Sequence, residues 1–158
     1  MKSGFVAVAG RASALLNSPH AEISLLDGEE LVVRAFSQGR EYLRGDRVRR
    51  GEPALSWRAI DSRAPVVAAE SGDHPESRLV YHPRTLHAVA VFPIVRGADC
   101  LGVLGLAREE AGTPFTPEEI QEGVMLAQMA ALVLHNASIH EEAVRAAETR
   151  TAALRESE

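Results

Sequence analysis

The chain has a single cysteine, Cys100, among its 158 residues. One thiol cannot form an intramolecular disulfide or a cysteine-rich metal site, and such low cysteine usage fits a reducing compartment. No apolar run approaches the ~20 residues that a membrane-spanning helix needs, and no signal-peptide pattern follows Met1. We therefore expect a cytoplasmic protein, or a cytoplasmic piece of one, with no membrane partner.

An excess of basic residues is also missing, because the formal net charge is -5. General nucleic-acid binders carry such an excess, so this function class is disfavoured. The local exception is the segment 40–50, which contains five arginines. It could hold a small anion through bidentate contacts, but we interpret it as a solvated surface loop.

The apolar fraction of 46% is sufficient for one domain with a substantial core. Hydrophobic periodicity and turn residues predict the elements in chain order. They are a helix over 3–16, strands over 21–26 and 31–36, a polar loop over 37–52, a short helix from Pro53, an edge strand over 65–69, a second loop over 70–85, strands over 86–95 and 101–107, and a long helix after Thr116. This order predicts an α+β fold in which a sheet lies between helices.

The long C-terminal helix has the clearest local signals. Thr116 can cap it, Pro117 suits its first turn, and Glu119 is placed to complete a capping box. No proline follows, so one unbroken helix of roughly 64 Å is possible. The stretch 124–134 is almost entirely apolar, which predicts burial on more than one side, whereas from Glu141 onward the sequence is mostly charge and alanine.

Several stretches, taken in order, resemble a GAF domain. They are AVAVFPI at 88–94, LGVLGL at 101–106, PFTPEE at 114–119 and the apolar helix segment 126–137, preceded by 21–27 and 63–67. The resemblance implies a PAS-related, six-stranded antiparallel sheet with the first and last helices on one face and a small-ligand site on the other. It also implies a sensory role in signal transduction, as the input module of a sensor kinase of a two-component system, a cyclic-dinucleotide enzyme or a transcription regulator.

Enzymatic activity is not expected within these residues. Reductases of free methionine sulfoxide share the GAF fold, but their chemistry resembles thiol–disulfide cycling and needs more than one cysteine. Cys100 stands at the start of a predicted strand, which is typical of a structural thiol. No Gly-x-Ser-x-Gly elbow occurs and no histidine spacing indicates a shared metal. The Asn-Lys signature of cyclic-nucleotide-binding GAF domains is absent, because Lys2 is the only lysine.

Haem binding is the alternative that the resemblance leaves open. Haem-binding GAF sensors of mycobacterial type carry a His-Pro pair shortly before a proline of the central strand, and His82-Pro83 precedes Pro93 in a similar way. Imidazole is a common axial ligand of haem iron. In this alternative the chain is a gas or redox sensor with His82 as the axial ligand, or with His87 in its place.

Otherwise the ligand is a small organic or anionic molecule, or there is none, and no cofactor is the first expectation. The candidate residues lie in segments expected to cover the ligand face, and they combine stacking surface with a few polar groups, as pockets do. They are Trp57, Tyr81, His82, Arg84 and His87. In the simpler interpretation, Trp57 and Tyr81 fill the core and the domain binds nothing.

The end of the long helix has a weak coiled-coil pattern. Its a and d positions, at spacings of three and four, are Ala137, His140, Val144, Ala147, Thr151 and Leu154. Most of these side chains are small or polar, so a parallel seam could switch between two states of similar energy. We expect a GAF domain over 3–140, a signalling helix or coiled-coil linker over 141–158, and a homodimer through the terminal helices that passes a signal to an output domain. The alternative is a solvated helix tail without a partner.

Overall fold

The computed structural model describes residues 2–40, 44–70, 72 and 86–157. Three helices and six strands form in these residues. In chain order they are α1 (Lys2–Leu15), β1 (His20–Asp27), β2 (Glu30–Phe36), β3 (Arg47–Arg49), α2 (Leu55–Ser62), β4 (Val66–Ala68), β5 (Val89–Arg96), β6 (Asp99–Ala107) and α3 (Pro117–Glu156).

All six strands belong to one sheet, with the order β3-β2-β1-β6-β5-β4 and antiparallel pairing throughout. Two tight hairpins build most of it, β1–β2 around Gly28 and β5–β6 around Gly97, and both glycines have a positive φ that suits such turns. The central pair β1–β6 then joins the two hairpins. The predicted α+β fold with a six-stranded antiparallel sheet is confirmed, and β4 lies at an edge as Pro65 indicates.

The segment 37–52 differs from its prediction as a loop, because Arg47–Arg49 forms the edge strand β3. It pairs with Glu30, Leu31 and Val32 of β2. Only Val48 in this strand is apolar, and the exposed arginines on either side give too short a pattern for recognition. Charged side chains on a short strand are a common means of protecting a sheet edge.

Each face of the sheet is covered by its own layer. The face toward α1 and α3 packs a large cluster that includes Phe5, Ile23 and Phe92. The opposite face packs a smaller cluster around Trp57 and Val103, formed with α2. The strands β5 and β6 therefore contribute buried side chains to both faces, as their continuous apolar sequence predicts.

The long helix α3 begins as its sequence predicts. The Glu119 N–H donates to Oγ1 of Thr116 at 3.1 Å, and the Thr116 N–H donates to Oε1 of Glu119 at 2.9 Å, so the capping box is complete. The helix then continues for 40 residues, about 60 Å at 1.5 Å per residue. Its residues 141–156 are all exposed. No helix among the described residues has a stretch long and apolar enough to span a bilayer.

Within a single chain, α3 is buried on one side only. The sequence of 124–134 predicted burial on more than one side. Gly123, Leu126 and Ala130 are buried against the sheet and α1. On the far side, Met125 and Leu132 are 63% and 60% exposed. The apolar composition of this helix therefore exceeds what its own domain covers.

Candidate functional site

A cavity of about 70 Å³ lies on the α2 face of the sheet, across β1 and β6. Its walls are mostly apolar and come from β2, β5 and the start of α2; they include Leu31, Val33, Leu55, Val89 and Val91. Its polar side chains come mainly from β1, namely His20, Glu22 and Ser24. An apolar pocket with a few converging polar groups is the usual form of a small-molecule site.

The alternation of β1 explains how these polar side chains reach the cavity. Successive side chains in a strand point to opposite faces of the sheet. Ala21, Ile23 and Leu25 therefore enter the core beneath α1 and α3, while the intervening His20, Glu22 and Ser24 face the cavity. The sequence prediction missed this set. The alternation of polar and apolar residues was visible in the sequence, but the coverage of both faces of β1 was not.

Gly105 of β6 makes room for the Glu22 side chain. The two residues are direct neighbours across the central strand pair. A Cβ added at Gly105 would come within 3.4 Å of Cγ and Oε1 of Glu22, so the carboxylate arm lies over the glycine. The Oε2 atom of Glu22 is buried. A glycine here lets a long polar side chain lie flat along the floor of the cavity.

His20 faces the cavity and has a strongly lowered pKa. Its side chain is 4% exposed. Burial, followed by the nearby Arg40 guanidinium, lowers the pKa of His20 to about 4, although Glu109 acts in the opposite direction. The imidazole is therefore neutral at physiological pH and can both donate and accept a hydrogen bond.

The lowered pKa of His20 predicts a loss of stability in mild acid. Its folded pKa lies below the unfolded value, so the unfolded chain binds the proton more readily and stability falls as the pH drops from about 6.5 toward 4. We expect this one group to reduce the free energy of unfolding by roughly 2 kcal/mol between about pH 7.5 and pH 5. Urea unfolding at both pH values measures it. A His20→Gln variant should show a correspondingly smaller pH dependence, and equal dependence in both proteins would contradict the assignment.

Two buried arginines fix the loops at the end of the sheet beside His20. Arg40 is one of them, so it does not belong to a solvated loop as the sequence suggested. Its Nε donates to the Pro19 carbonyl at 3.0 Å, and its Nη2 pairs with Oε1 of Glu109 at 2.8 Å. Through these two contacts, Arg40 holds the start of β1 to the chain that leaves β6. The other arginines of the segment that the structure describes are at the surface.

Arg108 is the second buried arginine, and it connects β6 to both long helices. Its Nε and Nη2 donate to the Leu16 carbonyl, just beyond α1, at 3.3 and 2.6 Å. Its Nη1 donates to the carbonyls of Thr113 and Pro114 at 2.9 and 3.2 Å. Nη2 also pairs with Oε2 of Glu119 in the first turn of α3.

The ion pair with Arg108 affects the titration of Glu119. Burial by itself would raise the pKa of Glu119, but hydrogen bonds from the Thr116 N–H and from Arg108 outweigh it, so the pKa is lowered. The guanidinium also lies over the Phe115 ring, 4.0 Å from its centroid. Arg108 thus holds the start of α3 against the end of β6.

A comparison with protein-family models identifies this architecture. The model for the GAF domain matches residues 5–134. The chain belongs to the GAF family. A comparison with curated protein sequences finds no significant match.

Solved structures with the same fold include other GAF domains and an enzyme. The second GAF domain of DevS from Mycobacterium smegmatis has a TM-score of 0.72 and 20% identity, covering 89% of this chain and 96% of that one. The GAF domain of a phosphoenolpyruvate-protein phosphotransferase from Coxiella burnetii gives 0.71 and 20%, with coverages of 87% and 86%. A free methionine-R-sulfoxide reductase from Thermoplasma acidophilum gives 0.71 and 14%, with coverages of 85% and 92%. At these identities the likeness establishes the fold only.

The ligand residues expected from the sequence occupy different places in the GAF domain. Trp57 is buried on α2, where its Nε1 donates to the Arg49 carbonyl at 2.9 Å and the Arg50 guanidinium lies 4.4 Å from the ring centroid. His87 is half-buried, with Nδ1 2.8 Å from a carboxylate oxygen of Glu70. Neither is among the residues that line the cavity. Tyr81, His82 and Arg84 lie outside the described residues.

The remaining candidates are a thiol and the coiled-coil positions. Cys100 is half-buried, and burial is the main cause that raises its pKa, which lowers the fraction of reactive thiolate. Of the predicted seam, Ala137 is half-buried, and His140, Val144, Ala147, Thr151 and Leu154 are exposed. Within the part of the chain that the structure describes, no three His, Cys, Asp or Glu side chains form a group that could hold a metal ion.

Proposed function

We propose that this GAF domain is a non-catalytic regulatory module. It binds a small ligand in the cavity over β1 and transmits its occupancy through α3 to an output module. The observation that carries the proposal is the division of the molecule into two sides. A cavity with polar side chains lies on one face of the sheet, and a 40-residue helix that packs on the other face continues well beyond the core. A ligand site and an exit helix joined by one sheet form an arrangement suited to signalling.

The expected signal route follows the end of the sheet. His20 faces the cavity and follows Pro19, whose carbonyl is bound by Arg40. Arg40 is paired with Glu109, and the preceding residue in the chain, Arg108, is bound to Glu119 of α3. A displacement of His20 would therefore act on α3 through charged contacts, without a change in the packing of the central strands.

The small size of the cavity restricts its ligands. A cavity of about 70 Å³ has room for only a few water molecules or a very small ligand. A larger ligand requires its walls to move, and α2 is the cover that a ligand would displace. Haem is much larger than this space. The alternative of a haem sensor with His82 as axial ligand therefore remains a prediction from the sequence and is not the function we propose.

The absence of catalysis is part of the proposal. Thiol–disulfide cycling needs a second cysteine, and Cys100 is the only one in the chain. Its raised pKa further disfavours a role as a nucleophile. The methionine sulfoxide reductases with this fold therefore do not supply a model for this chain.

The proposed module works as a homodimer in the cytoplasm. In this proposal residues 3–140 are the domain and 141–158 are the linker to the output module, and α3 continues into this linker as far as Glu156. Since residues 141–156 are all exposed in the described chain, a partner helix would supply the burial that they lack. The localisation follows from the sequence arguments on cysteine usage.

A substitution in the cavity tests the ligand proposal. Ser24→Val adds apolar volume inside the cavity and keeps a residue that suits a strand. We expect it to reduce the bound ligand at least about tenfold. The measurement is mass spectrometry of small molecules retained by purified protein after exposure to the low-molecular-weight fraction of a cell extract.

The matched control is Thr149→Val, which exchanges a hydroxyl for a methyl group on the exposed part of α3. It should retain as much ligand as the wild type. The ligand proposal is wrong if the wild type retains nothing, or if the Ser24 variant retains the same amount as its control.

A further inference from the structure

The outer face of α3 carries a row of large apolar side chains that its own domain leaves uncovered. Met125, Met129, Leu132 and Ile139 are 63%, 38%, 60% and 52% exposed. They lie opposite the buried side, which includes Leu126. Uncovered apolar rows of this kind on a helix are typical of an interface.

The row follows a heptad pattern. Steps of four and three residues connect its members, which we call the outer stripe: Met125, Met129, Leu132, Asn136, Ile139, Ala143 and Ala146. These steps are the spacing of d and a positions in a coiled coil. Asn136 then occupies an a position at the centre, where a single asparagine specifies register and favours a two-stranded pairing. The stripe extends about 32 Å along the helix.

The charges beside the outer stripe are compatible with a second copy in parallel. In that arrangement each g position faces the e position five residues later in the partner helix. Gln128 would face Val133, His135 would face His140, and Glu142 would face Ala147. No two carboxylates and no two guanidinium groups would oppose each other there, so self-pairing meets no such charge barrier.

We propose that the outer stripe is the docking surface for a second copy of this chain, in parallel orientation, with the two Asn136 side chains facing each other. This inference deepens the proposed homodimer and depends on it. The heptad register of the stripe is shifted by one residue, or about 100° around the helix, from that of the predicted seam of Ala137 to Leu154. It also accounts for the almost continuous apolar sequence of 124–134, because the sheet covers one side and the partner covers the other.

The position of the stripe couples the packing of α3 on the sheet to the proposed dimer contact. The same helical turns that bury Leu126 and Ala130 against the sheet present Met129 and Leu132 to the partner. A small rotation of α3 on the sheet would therefore change the dimer contact directly, before the exposed end of the helix is reached.

Sedimentation equilibrium of three variants tests the surface. Leu132→Glu places a charge in the stripe and should weaken dimerisation at least about 100-fold, because two carboxylates would be buried together. Val144→Glu lies in the predicted seam only and should have a much smaller effect. Ala152→Glu adds the same charge to α3 outside both patterns and should match the wild type. All three positions are exposed, so circular dichroism should show unchanged folding.

The outcomes distinguish failure of the proposed homodimer from failure of the outer stripe as its interface. A wild type that stays monomeric at high concentration refutes the homodimer, and the stripe with it. A dimeric wild type that is broken by Val144→Glu and not by Leu132→Glu leaves the homodimer standing and overturns the outer stripe. Loss of the dimer in Leu132→Glu alone supports the stripe.

Cross-linking tests the parallel orientation. In a Cys100→Ala background, Ala143→Cys would bring two thiols together at equivalent a positions, within the Cα separation that a disulfide needs. Glu148→Cys points away from the stripe and serves as the control. We expect oxidation to yield covalent dimers of the first variant and not of the second. Equal yields would overturn the parallel pairing.

Discussion

Replacing Arg108 with alanine is expected to reduce the free energy of unfolding by roughly 3–5 kcal/mol. Arg108 is 5% exposed, and its guanidinium donates to the carbonyls of Leu16, Thr113 and Pro114, in addition to its pair with Glu119. Alanine leaves these acceptors without their donor and Glu119 without its partner charge. Chemical denaturation at neutral pH measures the change.

An exposed arginine with similar contacts provides the control for Arg108. Arg63 donates to the carbonyls of Gly97 and Ala98, but it lies at the surface. Arg63→Ala should therefore cost less than about 1 kcal/mol, because water replaces the lost donors. Equal losses in the free energy of unfolding would contradict the prediction, because they would show that burial does not increase the contribution of the Arg108 hydrogen bonds to stability.

Gly102→Ala is expected to destabilise the protein by about 3 kcal/mol through overpacking at the centre of the sheet. Gly102 pairs with Leu25 on one side and Ile94 on the other. A Cβ at this position would lie 2.1 Å from the backbone oxygen of Ser24 and 2.9 Å from the Leu25 Cα. Since backbone atoms of the neighbouring strand cannot rotate away, the central strands would have to separate. Thermal and denaturant unfolding both report the loss.

Gly105→Ala is the matched control, because it lies in the same strand. The added Cβ would approach only the Glu22 side chain, at 3.4 Å, and a flexible side chain can move by the small distance needed. We expect a loss below about 1 kcal/mol. A result in which Gly105→Ala is as damaging as Gly102→Ala would contradict the distinction between backbone and side-chain neighbours.

The regular elements were readable from the sequence because their signals are local. Thr116, Pro117 and Glu119 predicted the start of α3, and both hydrogen bonds of the capping box join residues only three apart in the chain. The hairpins followed from alternation and turn residues such as Gly28 and Gly97. The edge strand β3 was missed, since three residues with one apolar side chain form a strand only where a partner strand is available.

The candidate site could be predicted only in part. The sequence predicted a short helix that carries Trp57, and Trp57 does lie on α2. It did not identify His20, Glu22 and Ser24, because their significance depends on β1 being a central strand with both faces covered. Long-range pairing between β1 and β6, more than 70 residues apart in the chain, determines that position.

The sequence by itself determined the helices, most of the strands and the resemblance to the GAF family. It also determined that a long, charged helix continues beyond the core of the domain. The tertiary structure decided which arginines are structural, since Arg40 and Arg108 look the same as surface arginines until the loops around them close. It also decided which side of α3 is covered. Periodicity shows that residues 124–134 are apolar around most of the helix, but only the packing of α1 and the sheet shows that Met125 and Leu132 remain exposed. Local sequence sets the conformation of each segment, whereas burial depends on contacts between residues that are distant in the chain.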